Sequence, residues 1–337
     1  MHEDFEIWCD NITEGKWLKE LVSSLADSPV TVLKQNLDKS PPYIQHLLRY
    51  DRPDNIVAYR KKPILIIEKT VDTPSGHRAG QRFARFVNAA EEGVASVYFV
   101  PKTRWKEGDG GPRNIDARAV EALLKMMKIH EGVFLIVFWS VDNNYEVIRD
   151  SWAFDDLKSC VSVIIDSIRR GVPNSQIASL QVIQNLKQKM EEYVKNQPIH
   201  SSRRFKPIST DRLISYIKSK GYRHVPEIGF LLEKKNSLLY TAGTKATPIR
   251  SDPYAGYLTC LDYYYCRTGP SISERTMNIC IEWPYAPYSI WTKKSDERIN
   301  RGKRATKEIR ICHHFSDLIM LKDSLVLGEM HSSKKYV

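Results

Sequence analysis

The sequence NIVAYRKKPILIIEKT, residues 55–70, predicts two short strands joined by a basic turn. Residues 55–59 are expected to form the first strand, residues 60–63 the turn, and residues 64–70 the second strand. Residues 64–67 are all aliphatic, and a continuously apolar strand is typical of the middle of a sheet, where both faces are buried. The hairpin therefore brings the beginning of its first strand close to the end of its second.

The segments that follow predict that this hairpin belongs to an α/β sheet. A helix is expected at residues 77–92, closed by Gly93 as its C-terminal cap, and a strand at residues 94–100. A strand, a crossover helix and a further strand imply a parallel pair with a right-handed connection. A helix at residues 116–131 and an apolar strand at residues 133–141 repeat this order. The predicted fold is α/β, with a mixed central sheet flanked by helices.

Other parts of the N-terminal half are predicted to be helical. Apolar residues recur with helical spacing after residue 12, and residues 12–50 are interpreted as helices broken at residues 40–42 (SPP). Further helices are expected at residues 152–170 and 176–196. These helices are expected to flank the predicted sheet.

The predicted domain boundary coincides with a change in charge. Residues 196–207 (NQPIHSSRRFKP) have the composition of a linker, so we predict a first domain at residues 1–197 and a second at residues 208–337. Residues 1–200 carry 27 Lys and Arg against 27 Asp and Glu, whereas residues 201–337 carry 24 against 13. The net charge of +11 therefore lies wholly in the second part. Such asymmetry favours a polyanionic partner, nucleic acid before an acidic membrane, with a role in solubility as the alternative.

The second domain is predicted to be basic and rich in strands. It opens with a helix that Thr210 or Asp211 caps and Gly221 ends. The pattern after this helix is mostly that of strands, which are expected at residues 228–233, 238–241, 257–266 and 277–283.

Two features of composition bear on compartment and metal. No signal peptide is recognisable, and no stretch approaches the roughly 18 consecutive apolar residues of a membrane span, so we expect a soluble cytoplasmic protein. Six cysteines in 337 residues are too few for a disulfide framework. Zinc binding is one interpretation of the C-terminal cysteines and the histidines beside the last of them, Cys260, Cys266, Cys280, Cys312, His313 and His314. Because these cysteines include no CxxC pair, buried free thiols are the favoured interpretation.

Two acidic residues of the hairpin predict a metal site. Asp54 precedes the first strand and Glu68 lies late on the second, after four aliphatic residues. A carboxylate at the end of a buried strand is costly unless it is paired or binds a metal. Two convergent carboxylates provide the hard oxygen ligands that Mg²⁺ prefers, and Mg²⁺ can activate water and neutralise charge on a phosphodiester.

These residues resemble the motif of the PD-(D/E)xK nucleases. Pro53-Asp54, thirteen intervening residues and then Glu68-Lys69-Thr70 match its order, and residues 40–142 match its arrangement of elements. The resemblance implies a restriction-endonuclease-like core in which Asp54, Glu68 and the backbone carbonyl of Lys69 bind Mg²⁺. Among its members, the type II restriction endonucleases are the most similar.

The sequence departs from this motif at one position. Thr70 stands where the motif has lysine, and strand alternation puts Lys69 on the opposite face. Lys102, beyond the next strand, is one candidate to replace the lysine. Gln81 and His77 are others, because they lie one turn apart on the crossover helix.

Structural interpretations of the same residues stay open. Asp54 is a common turn residue after proline, and Glu68 could form a surface salt bridge with Arg82. His77, Gln81, Arg82 and Arg85 are then the polar face of an amphipathic helix. If these residues are functional, Arg82 and Arg85 are expected to hold phosphates, and His77 is expected to contact DNA beside them.

The basic residues of the second part predict contacts with DNA. They are Arg203, Arg204, Lys293, Lys294, Arg298, Arg301, Lys303, Arg304 and Lys307. Tyrosine and tryptophan are also frequent there, which suits backbone contact with some stacking, although a β core is the favoured interpretation for most of the aromatic residues.

The predicted function is that of a Mg²⁺-dependent, sequence-specific endonuclease acting on double-stranded DNA. Cutting both strands of a symmetric site implies a homodimer, and a restriction role implies a DNA methyltransferase that acts on the same site. A structure-specific repair or junction nuclease and a non-catalytic DNA-binding protein with a decayed nuclease fold are the alternatives.

Overall fold

The predicted hairpin forms the middle of a six-stranded sheet. Strand β3 (Asn55–Tyr59) pairs antiparallel with β4 (Lys62–Lys69), which is buried along most of its length, as its apolar run predicts. The other strands of this sheet, and two short strands that form a separate hairpin, are β1 (Phe5–Cys9), β2 (Val30–Val32), β5 (Ala95–Pro101), β6 (Thr103–Arg104), β7 (Arg113–Asn114) and β8 (Phe134–Trp139). The sheet has the order β2-β1-β3-β4-β5-β8.

The computed structural model describes residues 4–33, 40–73, 76–105, 110–197, 205–243, 245, 254–295 and 304–332, without the side chains of residues 76–81, 294 and 304–307. The chain divides into two compact units. The first comprises Met1–Pro74 and Arg85–Ile199, and the second comprises Ser75–Ala84 and His200–Val337. Among the described helices, none combines the length and apolar character needed to cross a lipid bilayer.

The crossover connections follow the predicted order. Strands β4, β5 and β8 are parallel, and helices connect them in turn. The helix before β8 begins after Asp116, whose side chain accepts the N–H of Arg118. The helices of the first unit are α1 (Ile12–Leu21), α2 (Pro42–Gln45), α3 (Gly76–Glu91), α4 (Ala117–His130), α5 (Asp155–Arg169), α6 (Asn174–Ala178) and α7 (Gln181–Asn196), of which α3 begins in the second unit.

The second unit is α/β rather than β-rich. Its sheet has the order β13-β12-β11-β10-β9, and β10, β11 and β12 are parallel. The strands are β9 (Lys206–Ser209), β10 (Asn236–Thr241), β11 (Met277–Trp283), β12 (Leu318–Leu321) and β13 (Leu325–Leu327). The helices are α8 (Thr210–Ser219), α9 (Ala255–Cys266), α10 (Tyr288–Ser295) and α11 (Arg304–Phe315).

Several sequence-based assignments were wrong. Residues 257–266 form part of α9 instead of a strand, and residues 228–233 include a short 3-10 helix, Gly229–Glu233. Part of the region predicted to be helical at residues 12–50 forms β2. Thr210 does not cap α8 with its side chain, because its hydroxyl donates to the carbonyl of Lys234. All six cysteines are buried and form no disulfide, and burial raises the pKa of Cys260 and Cys280.

Gly15 on α1 provides a test of the packing of this helix on the first sheet. A Cβ atom at this position would lie 2.3 Å from Cγ1 of Val30 and 2.9 Å from Sγ of Cys9. Alanine normally stabilises a helix by about 1 kcal/mol relative to glycine, but overpacking costs roughly 1–3 kcal/mol. We therefore expect Gly15→Ala to lower the melting temperature. The exposed Glu20→Ala on the same helix is the control, and a higher melting temperature for Gly15→Ala would contradict the packing.

Asp317 is a fully buried carboxylate of the second unit that contacts three other residues. Its Oδ1 accepts from Arg275 Nη2 at 2.6 Å and lies 2.9 Å from His331 Nε2, while its Oδ2 accepts the N–H of Ile279 at 2.7 Å. Burial alone would raise the pKa of this carboxyl group. The hydrogen bond from His331, the charge of Arg275 and the N–H of Ile279 outweigh burial and leave the pKa below its ordinary value of 3.8.

The lowered pKa determines how Asp317 contributes to stability. Because the folded pKa lies below the unfolded one, the stabilisation is complete above about pH 4 and is lost as the pH falls through the folded value. Asp317→Asn is expected to lower the free energy of unfolding at pH 7 by roughly 3 kcal/mol. Urea unfolding of both proteins between pH 3 and pH 7 measures this difference. A difference that grows toward pH 3 would contradict the assignment.

Candidate functional site

Asp54 and Glu68 lie at the same end of the β3–β4 hairpin. Asn55 is paired with Ile67 in the antiparallel register. Because Asp54 comes one residue before Asn55 and Glu68 one residue after Ile67, both acids lie beyond this pair on the same side. Oδ2 of Asp54 accepts the backbone N–H of Lys69 at 2.7 Å. The carboxylate of Asp54 is therefore fixed against the strand that carries Glu68.

Glu68 is fully buried and paired with an arginine from the crossover helix. Its Oε1 accepts a hydrogen bond from Nη1 of Arg85 on α3, whose own exposure is 8%. Nη2 of Arg85 also lies 3.6 Å from Oδ2 of Asp51. A buried carboxylate without a partner is strongly unfavourable, and the guanidinium supplies the opposite charge. The Glu68–Arg85 pair therefore links the end of β4 to α3.

Three carboxylates act on this one guanidinium. Burial alone would lower the pKa of Arg85, but the charges of Glu68, Asp51 and Asp54 and the hydrogen bond to Glu68 raise it above its ordinary value. Arg85 thus stays protonated, and the four side chains together carry a formal charge of −2 when the acids are ionised. Asp51 was not among the predicted site residues. Its position three residues before Asp54 was the only signal in the sequence.

Lys69 lies on the other face of the sheet, as strand alternation predicts. Its ammonium is 2.8 Å from Oε2 of Glu14 and 3.9 Å from the centre of the Trp17 ring, both on α1. The register shift in this hairpin lies between Val57 and Ala58, so it does not rotate the end of β4. The side chain of Lys69 therefore does not replace the lysine of the motif, and its carbonyl remains a predicted ligand.

The other predicted catalytic residues have different surroundings. Oγ1 of Thr70 accepts the N–H of Asp72 at 3.2 Å, which stabilises the turn after β4. Lys102 is exposed, and its ammonium lies 5.5 Å from the centre of the Tyr193 ring on α7. The side chains of Gln81 and His77 lie outside the described part of the chain.

Three of the predicted DNA-binding residues, Arg82, Arg85 and Lys293, have described side chains. Arg82 is half-buried, Arg85 is engaged in the ion pair, and Lys293 is exposed on α10. Outside the described residues or side chains lie His77, Arg203, Arg204, Lys294, Arg298, Arg301, Lys303, Arg304 and Lys307. Most of the aromatic residues considered for stacking belong to the core, namely Tyr257, Tyr263, Tyr264, Trp283 and Trp291.

Arg104, which the sequence reasoning did not single out, connects the loops at the carboxyl ends of the parallel strands. Its Nη1 donates to the carbonyl of Tyr145 at 2.7 Å and lies 2.5 Å from Oε1 of Glu146, both after β8. Its Nε lies 3.9 Å from Oδ1 of Asp72, after β4. This side chain therefore holds together the chain segments that follow the strand of Glu68 and its neighbours.

Within the described ranges, no group of three or more His, Cys, Asp or Glu side chains is arranged to hold a metal ion. Comparison of the chain with protein-family models, curated proteins and solved structures finds no match.

A double-mutant cycle tests the Glu68–Arg85 pair. Removing one member of a buried ion pair typically costs 3–5 kcal/mol, whereas replacing both members by apolar residues costs much less. We expect Glu68→Leu and Arg85→Met each to lower the free energy of unfolding by about 3 kcal/mol, and the double variant to lose much less than the sum. Urea unfolding at neutral pH measures all four proteins. Additive losses would show that the two side chains do not interact energetically.

Proposed function

We propose that this protein is a Mg²⁺-dependent DNA endonuclease that resembles type II restriction enzymes. The observation that carries the proposal is the convergence of Asp54 and Glu68 at one end of the β3–β4 hairpin. The order of elements around the pair, with an antiparallel hairpin, a crossover helix and a parallel strand, fits the resemblance to a restriction-endonuclease-like core.

The chemistry of the donor atoms suits magnesium. Asp54 and Glu68 offer hard carboxylate oxygens, and a formal charge of −2 around Arg85 favours a divalent cation. These two side chains, with the carbonyl of Lys69, would hold the ion. When bound, it supplies Lewis acidity and neutralises negative charge on the phosphodiester.

Arg85 is the described residue best suited to supply the positive charge of the missing lysine. Its guanidinium is already hydrogen-bonded to Glu68 and lies close enough to Asp54 for the two charges to interact. A guanidinium cannot give up its proton in a protein, so Arg85 cannot act as a base. Its role is to pair with and orient Glu68 and to stabilise negative charge on the phosphate during hydrolysis.

The remaining parts of the proposal concern the substrate and the assembly. The net charge of +11 in residues 201–337 supports binding of double-stranded DNA. Cleavage of both strands at a symmetric sequence requires two sites, which a homodimer provides. A cytoplasmic location and a DNA methyltransferase that protects the same sequence follow from a restriction role.

A plasmid digest with and without Mg²⁺ tests this function. Because the proposed site needs both carboxylates, Asp54→Asn and Glu68→Gln should each reduce cleavage by roughly 100-fold or more and leave DNA binding largely intact. Arg85→Lys keeps the positive charge and should retain more activity than Arg85→Met. The exposed Asp150→Asn is the control that changes charge elsewhere in the same unit. Undiminished cleavage by both acid variants would reject the proposed site.

A non-catalytic DNA-binding protein is the second candidate, because Glu68 is already neutralised by Arg85 and Thr70 occupies the lysine position. It predicts salt-sensitive DNA binding by the unmodified protein with no Mg²⁺-dependent cutting. The pattern of fragments separates the remaining alternatives. Discrete fragments from a mixed-sequence plasmid indicate sequence specificity, whereas cuts that depend on junctions or unpaired regions indicate a structure-specific nuclease.

A further inference from the structure

Three chain segments of the second unit meet at the carboxyl ends of β11 and β12. The N–H of Arg223 donates to the carbonyl of Asp323 at 2.9 Å, and the N–H of Leu325 donates to the carbonyl of His224 at 3.0 Å. The N–H of Lys322 donates to the carbonyl of Ala286 at 2.9 Å. These bonds hold the segments after α8, after β11 and after β12 side by side.

Exposed basic and aromatic side chains gather on these segments. Tyr285 and Tyr288 are 39% and 41% exposed, although most aromatic residues of this unit are buried. Arg223, His224 and Lys322 are also exposed, and the rings of His224 and Tyr288 lie 6.0 Å apart. We call these five residues, Arg223, His224, Tyr285, Tyr288 and Lys322, the edge surface.

Two acids near the edge surface, Asp323 and Glu282, are engaged in other contacts. Oδ1 of Asp323 accepts the N–H of Tyr288 at 2.8 Å, which fixes the start of α10. Glu282 is buried and accepts from the hydroxyl groups of Tyr216 at 2.6 Å and Thr241 at 3.0 Å. Neither Arg223 nor Lys322 forms a side-chain ion pair with any acid in the part of the chain that the structure describes. Their charges therefore remain available to an anionic partner.

We propose that the edge surface binds an unpaired stretch of a DNA strand. Arg223 and Lys322 contact its phosphates, and bases stack on the rings of Tyr285 and Tyr288. A base paired inside a duplex presents no open face to such rings, whereas an unpaired base does. The identity of the polyanion as DNA rests on the proposed function, but this binding does not require the cleavage chemistry.

The backbone of the edge surface suits this role because it is held in place before a ligand arrives. Hydrogen bonds between the three segments fix the backbone at Arg223, His224, Tyr288 and Lys322, and Tyr285 directly precedes Ala286, whose carbonyl accepts the N–H of Lys322. A preorganised surface loses less conformational entropy on binding than a flexible one. On binding, conformational freedom is therefore lost only by the side chains of the edge surface and by the bound strand.

Fluorescence anisotropy in EDTA, which prevents cleavage, tests the proposal with two probes, labelled oligo(dT) of 30 nucleotides and a blunt duplex of 30 base pairs. We expect Arg223→Ala/Lys322→Ala to weaken binding of oligo(dT) about tenfold or more and to reduce the slope of log affinity against log salt by about 1.4. Tyr285→Leu/Tyr288→Leu should weaken binding of oligo(dT) about tenfold or more, and affect the duplex much less.

Matched variants control for charge and ring loss away from the edge surface. Arg149→Ala/Lys158→Ala removes two exposed cations of the first unit. Tyr265→Leu removes an exposed ring near the amino end of β11, where Cys266 accepts the N–H of Thr276. Both controls should bind oligo(dT) normally, and circular dichroism should show that every variant is folded.

The outcomes separate this inference from the proposed nuclease function. The proposal that the edge surface binds unpaired DNA would be rejected if folded edge variants bound oligo(dT) normally. It would also be rejected if the control variants lost as much affinity as the edge variants. Either result would hold even if the protein cuts DNA. Equal losses for the duplex and oligo(dT) in the tyrosine variant would reject its binding of unpaired bases. Weakened binding in the edge variants of a protein that never cleaves would support the edge surface and reject the nuclease.

Discussion

The burial of Glu68 is the constraint on which the candidate site depends. A carboxylate removed from water at the end of a central strand requires a positive charge close by, and α3 provides Arg85 for it. The pair fixes the part of α3 that carries Arg85 against the end of β4. It also brings the guanidinium close to Asp51 and Asp54, so that one buried charge organises the loop before β3 as well.

Much of the first unit could be predicted from the sequence because its signals are local. The apolar run of β4, the turn at residues 60–63 and the glycine that follows α3 each act over a few residues. The crossovers follow because parallel strands need a helical connection. Strand β1 was not predicted, although FEIWC alternates between buried and half-buried residues as a strand with one covered face should.

The second unit was harder to predict because its central helix lacks a polar face. Most residues of α9 are buried, so its sequence contains no helical periodicity, and its tyrosines and cysteines have the composition of a buried strand. Only the length of this apolar segment, 12 residues in the structure, favoured a helix over a strand. The resulting error made the unit look β-rich, whereas its parallel strands need such helices as their connections.

The candidate site, too, combines features that depend on neighbouring residues of the chain with features that depend on tertiary packing. The convergence of Asp54 and Glu68 follows from hairpin geometry alone, and the separation of Lys69 from Glu68 follows from strand alternation. Which arginine of α3 meets Glu68 depends on how the helix packs on the sheet, which the sequence does not reveal. A positive charge near the two acids is thus available from a helix and need not lie two residues along the strand. Because arginine cannot accept a proton, the proposed nuclease would need a base from elsewhere, and in this the candidate site differs most from one with the usual lysine.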